Sequence, residues 1–145
     1  MPANGRLPET KKAPEISFPG ADTGKFIVVA LDLDAPYKII PLISPLVHWV
    51  QYDLESAGAD NKLTSPVEPV IDYIGASPPP FAMAPHRYVF MLFKQPDDFN
   101  ASKLKCAYEE GKEYPMTWRM RFDFEGLVKE AGLGEWVAAN YFVSL

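Results

Sequence analysis

The chain has 145 residues, a length that favours one domain. Nearly half of it (48%) is apolar and only 23% is charged, which excludes a disordered chain and allows a real core. Its net charge of −5 argues against nucleic acid or an acidic membrane surface as the main partner, because both need clustered Lys and Arg.

Residues 1–13 read as a flexible lead-in and 14–145 as a single domain. The segment Met1 to Pro14 is polar and proline-containing, with no apolar signal-peptide core. No apolar run approaches the roughly 20 residues that span a bilayer, so no integral membrane association is expected. The one cysteine, Cys106, permits no intrachain disulfide. These features together predict a cytoplasmic location. Fifteen prolines, about twice ordinary usage, suit short strands joined by rigid, irregular loops.

The first strand is predicted at Phe26 to Leu31, apolar on both faces as a central strand would be. Pro36, Pro41 and Pro45 then forbid a long regular element. A second strand follows at about Val47 to Leu54. Ser56 to Pro69 is polar and reads as a surface loop, and Val70 to Ile74 as a short strand. Ser77 to Pro85 carries four prolines and reads as a shaped loop. Arg87 to Lys94 is the second clear core strand. Asp97 to Pro115 is largely loop. Asp123 can cap a helix to about Ala131, with Phe124, Leu127, Val128 and Ala131 on one face and glycines 132 and 134 ending it. Val137 to Val143 is the last strand. The fold class is mainly β, with one or two short helices.

The chain has only two histidines, His48 and His86. Both stand near the start of a strand and follow a proline-rich loop. A carboxylate pair, Asp32 and Asp34, lies at the end of the first core strand, and the strand period of two would put both on one face. If these strand ends converge, two imidazoles and two carboxylates meet at one rim. Such a site would accept an anion through N–H donors or move protons near neutral pH. Taken singly, each histidine is more simply a hydrogen-bonded structural residue, and Asp32 and Asp34 have an obvious salt-bridge partner in Arg87. The spacings match no metal motif, so neither metal nor cofactor is expected. No Walker, Rossmann or nucleophile-elbow pattern is present.

Four separated segments, in order and spacing, resemble the signature of phosphatidylethanolamine-binding proteins. They are Asp32-Leu33-Asp34-Ala35-Pro36; His48-Trp49; Tyr73-Ile74-Gly75 followed by Pro78-Pro79-Pro80; and His86-Arg87-Tyr88-Val89-Phe90. The resemblance runs from about Pro14 to Val143. The Leu46 to Gln51 stretch and the Ala139-Asn140-Tyr141-Phe142 ending look most like fungal members. It implies a β-sandwich around a large central sheet. It also implies a pocket for phosphate, acetate or similar anions, lined by Asp34, Pro36, His48, Pro79, His86 and Tyr88 and supported by Asp32 and Arg87. Members of this family bind phospholipid head groups, inhibit serine proteases or carboxypeptidases, or regulate kinases and transcription complexes. Some fungal relatives accompany polyketide pathways, including the maleidride type that dimerises maleic anhydride units.

The sequence also departs from that pattern. Leu33 stands where the family usually has proline. Phe81-Ala82-Met83-Ala84-Pro85 and Tyr37-Lys38-Ile39-Ile40-Pro41-Leu42-Ile43 are more apolar than the usual loops. The chain starts late and stops without the C-terminal helix of animal members, and a missing lead-in strand would leave a sheet edge or an apolar patch open that would invite a homodimer. The leading expectation is a small anionic or amphiphilic ligand, a carboxylate or anhydride in a biosynthetic pathway. In that reading Asp34 orients an imidazole, His86 or His48 acts as general acid or base, and Tyr88 donates a hydrogen bond. The alternative is a binding-only regulator: a protease or carboxypeptidase inhibitor, or a scaffold for phospholipid head groups or kinases.

Overall fold

Six consecutive β-branched or apolar residues and an aspartate form a strand that is buried along its whole length. This strand, β2 (Phe26–Asp32), sits in the middle of a six-stranded antiparallel sheet of order β1-β4-β3-β2-β5-β6. Its neighbours are β3 (Leu46–Ser56) and β5 (His86–Lys94). The strands β1 (Ile16–Ser17) and β4 (Lys62–Thr64) extend the sheet beyond β3, and β6 (Trp136–Ser144) forms the other edge. The computed structural model describes residues 10–144 except positions 22, 59, 80, 82, 83 and 109–111.

Alternation along β2 divides the core in two. Ile27, Val29 and Leu31 pack with Val47, Val50, Met91, Phe93 and the helical segments. Phe26, Val28 and Ala30 pack on the opposite face with Trp49, Leu54, Leu63 and Leu92. The first face is covered by α2 (Phe124–Glu130), through Leu127, and by Leu104, Tyr114 and Phe122 from irregular segments. The Asp123 side chain caps α2 by accepting from Gly126 N, as its sequence predicts. The helix ends in a Schellman turn: Gly132 (φ +65°) donates to Lys129 O, and Leu133 N to Val128 O.

Several sequence expectations change. The Ser56 to Pro69 stretch contains β4, a strand of three residues with only Leu63 buried, too short to leave an alternating pattern. The strand expected at Val70 to Ile74 reduces to one bridge between Val50 and Ile71. The helix α1 (Met116–Arg119) is four residues long and was not anticipated. A 3-10 turn at Ala101–Lys103 lies inside the expected loop. Strand β6 leaves Val137, Tyr141 and Val143 exposed at the sheet edge.

Candidate functional site

The strand ends converge at one rim. A cleft of about 600 Å³ is lined there by Asp32, Pro36, Ile43, His48, Pro79, His86 and Tyr88, with the loop Ile74 to Ser77 as one wall. Thr10 and Lys11 complete the lining on one side, and Glu113, Met116 and Met120 on another.

His48 reaches the cleft through an irregularity in β3. Ala30 pairs with Trp49 and Leu31 with Val47, so His48 is the extra residue of a bulge. The bulge allows two consecutive side chains to serve one side of the sheet. Trp49 fills the core beside Ala30, and His48 meets the Tyr88 ring edge-on at 5.2 Å between centroids. His86 and Tyr88 share their face by the strand period of β5, and their rings lie 6.3 Å apart, stacked. Phe142 of β6 backs Tyr88 at 5.0 Å.

Each imidazole is held by its Nδ1. His48 Nδ1 donates to the carbonyl of Ile74 at 2.8 Å, while Ile74 N donates back to His48 O at 2.9 Å. His86 Nδ1 donates to Asp32 Oδ2 at 2.8 Å, with both side chains almost wholly buried. The two Nε2 atoms are buried and find no hydrogen-bond partner among the described residues. Burial holds the His48 pKa below its ordinary value; the Ile74 carbonyl and Asp32 oppose this, and Arg119 and His86 add to it. Burial and the neighbouring Asp32 push the Tyr88 phenol far up, so it stays protonated.

The two carboxylates exchange the roles expected from sequence. Asp34 was expected to orient an imidazole and line the pocket, but it is not among the lining residues. Its Oδ2 accepts from Arg87 N (2.9 Å) and Nε (2.8 Å), and its Oδ1 from Arg87 Nη2 (2.8 Å). The Arg87 guanidinium therefore holds the Asp34 carboxyl below its ordinary pKa. Asp32 takes the imidazole instead. The cause is local: β2 ends at Asp32, whose Oδ1 accepts from Asp34 N at 2.8 Å, turning the chain so that the period of two no longer applies. Pro36, Pro79, His48, His86 and Tyr88 line the cleft. Pro80, Ala82 and Met83 lie outside the described residues.

Sequence reasoning missed Arg119. This cation is almost fully buried on α1, where Nη2 bonds Asp72 Oδ1 (2.6 Å) and Nη1 bonds Asp72 O (2.9 Å) and Val47 O (3.4 Å). It ties the helix to β3 and to the segment leading into the Ile74 wall. A second, apolar depression of about 250 Å³ is lined by Tyr37, Lys38, Ile39, Phe81 and Ala84, of which Tyr37 directly follows the cleft-lining Pro36 in the chain. Ile39, Ile40, Leu42 and Phe81 are all exposed, Phe81 to 85%. Among the described residues no cluster of three or more His, Cys, Asp or Glu side chains could hold a metal, and no helix is long and apolar enough to cross a membrane.

This fold and this rim define the phosphatidylethanolamine-binding type of protein. The family's model, described as "Phosphatidylethanolamine-binding protein", matches residues 1–142, and the chain belongs to that family. It is 38% identical over 125 residues to phomoidride biosynthesis cluster protein N of Talaromyces stipitatus, covering 84% of this chain and 60% of that protein. It is 32% identical over 145 residues to the carboxypeptidase Y inhibitor of Saccharomyces cerevisiae, covering 83% of this chain and 59% of that protein. The chain thus spans about three fifths of the length of these curated relatives. The crystal structure of carboxypeptidase Y inhibitor with its cognate proteinase superposes with a TM-score of 0.68 at 26% identity, covering 93% of this chain and 71% of that one. The fold is also that of the phosphatidylethanolamine-binding protein from Plasmodium vivax, at TM-score 0.65 and 17% identity over 94% of this chain and 73% of that one.

Proposed function

We propose that the cleft binds an amphiphilic oxyanion, a carboxylate or the acid of an opened anhydride, in a polyketide-type biosynthetic pathway. The observation that carries this reading is a pair of imidazoles with unpartnered Nε2 atoms in a cleft whose neighbouring surface is apolar. The ligand's polar head would meet His48 and His86 beside Tyr88, with Lys11 adding a cation at the lining. Its tail would lie over Ile39, Leu42 and Phe81. Asp32 would fix the tautomer and position of His86, which with His48 would hold or move a proton at Nε2. The likeness to a biosynthesis cluster protein supports the pathway class.

Titration with straight-chain carboxylic acids of increasing length tests the reading. Affinity should rise with each added methylene, by about 0.8 kcal/mol where it is buried. An affinity that ignores chain length, or survives His86→Ala unchanged, overturns it. Incubation with anhydride or carboxylate polyketides, with His86→Ala as control, tests a chemical step: equal product in both samples removes that histidine from catalysis.

A second reading is a binding-only inhibitor of a hydrolase, supported by the likeness to carboxypeptidase Y inhibitor. It requires carboxypeptidase inhibition that cleft substitutions leave unchanged.

A further inference from the structure

We propose that the cleft captures its oxyanion together with protons, and so selects oxyanions that still carry an O–H at working pH, the hydrogen phosphates, over fully ionised ones such as sulfate, while a carboxylate enters only with a proton taken up from solvent. This rests on the oxyanion reading above and deepens it. The argument starts from the tautomers. A neutral imidazole has one N–H, and in both rings that hydrogen sits on Nδ1, because Nδ1 faces an acceptor: the Ile74 carbonyl for His48 and the Asp32 carboxylate for His86. Each Nε2 is then a bare lone pair. Both are buried and without a partner among the described residues. A bare anion brought to two lone pairs is repelled by both.

Two arrangements remove the conflict. The ligand can bring its own hydrogens, as dihydrogen phosphate does with two O–H groups, one for each Nε2. Otherwise the rings take protons from solvent and become donors. The second route is opposed at His48 by burial, by the Arg119 cation on α1 and by His86 on β5, and favoured by Asp32 on β2. The other charged or titratable groups lining the cleft are Lys11, Glu113 and Tyr88. Tyr88 interacts with Asp32 and with the Ser77 backbone. A buried acceptor left unsatisfied is costly, so an acid that supplies its hydrogen gains what an ionised oxyanion does not.

Calorimetric titration of the full chain with inorganic phosphate and with inorganic sulfate, at pH ~6 and pH ~8 and in buffers of differing ionisation enthalpy, decides the matter. Phosphate should bind at least about tenfold more tightly than sulfate near pH ~7. Sulfate binding should take up protons, shown by heats that vary with the buffer, and should weaken by up to about tenfold per pH unit for each proton taken up. His48→Asn and His86→Asn keep an N–H in the place of Nδ1 and delete Nε2, so each should shrink the phosphate preference. Equal affinities for the two anions with buffer-independent heats would overturn the proton-coupled inference and leave the anion site standing. No binding of either anion at any pH, or binding that both asparagine variants leave untouched, would overturn the inference and the reading beneath it. The wild-type comparison decides even if a variant fails to fold.

Discussion

Asp32 and Asp34 stand two residues apart at the end of one strand and serve different bases: Asp32 accepts from His86 inside the cleft, and Asp34 grips Arg87 outside it. Their removal should therefore have different consequences. Asp32→Asn should raise the affinity for an ionised oxyanion such as sulfate relative to phosphate while the protein stays folded, because an amide that still accepts from Asp34 N turns its NH2 to His86 Nδ1 and moves the ring hydrogen to Nε2. Asp34→Asn should leave that affinity nearly unchanged and lower stability by about 1–2 kcal/mol, a figure discounted because the Arg87 side chain is half exposed. Calorimetric titration together with urea unfolding separates the two, and identical profiles for both variants would contradict the assignment.

The buried His48 makes the ligand-free protein sensitive to mild acid. Its folded pKa lies below the unfolded value near 6.5, so the unfolded chain binds more protons in that window and stability rises with pH. The contribution is present above pH ~6.5 and is lost as pH falls through the depressed folded value. Asp34, also depressed, contributes stability that is fully present above its unfolded value near 3.8 and is lost only as pH falls through its lower folded value, so it adds no slope near neutrality. Urea midpoints measured from pH ~7 downward should fall with a slope of at most about 1.4 kcal/mol per pH unit per histidine. His48→Asn should flatten this slope; an unchanged slope assigns it to another group.

Gly75 lets the N-terminal segment approach the cleft wall. A Cβ at this position would sit against the backbone carbonyl of Thr10, an atom that cannot swing aside. Gly75→Ala should therefore displace residues 10–12 and cost about 1–2 kcal/mol. Trypsin should cut after Lys11 or Lys12 faster than in the parent chain. Equal cutting rates would show that the contact does not hold the segment in place.

Arg119 has no replacement among its neighbours. Arg119→Met leaves the Asp72 carboxylate with only the Tyr114 N–H as donor and removes donors from the carbonyls of Asp72, Val47 and Tyr114. The expected loss is about 2–4 kcal/mol in denaturant unfolding, at the lower end because Asp72 is partly exposed. A loss below about 0.5 kcal/mol would mean the pair is dispensable.

Much of this was legible before coordinates. Strand β2 announces itself as an unbroken apolar run, and α2 by a capping aspartate and a terminal glycine. The four spaced segments marked the rim. The exchange of roles between the two aspartates was not legible, because the period of two holds only while the strand lasts and nothing in Asp32-Leu33-Asp34 says that it ends at the first residue. The bulge that turns His48 inward is set by pairing with β2, a partner far off in the chain. Arg119 lies on a four-residue helix without a periodic face, and its three backbone acceptors come from segments over 40 positions away or from Tyr114, so no local signal marks it.

Phe81 offers a control with little structural cost. Phe81→Ser changes a side chain that is 85% exposed, so stability should move by less than about 0.5 kcal/mol. Affinity for a long-chain carboxylic acid should drop several-fold while that for inorganic phosphate is kept. Parallel losses for both ligands would place Phe81 in the head-group site.

Enclosure of β2 on both faces sets which parts of this protein are free to diverge. Asp32 is the last residue of the strand most deeply embedded in the sheet, so its position is inherited from the whole core, and few substitutions there would spare the fold. The segment from Tyr37 to Ile43 and the tip at Phe81 carry no such obligation. On the proposed reading, selection can rewrite them to suit a new ligand shape while the Asp32–His86 pair is passed on intact, so paralogues should differ first at those two stretches.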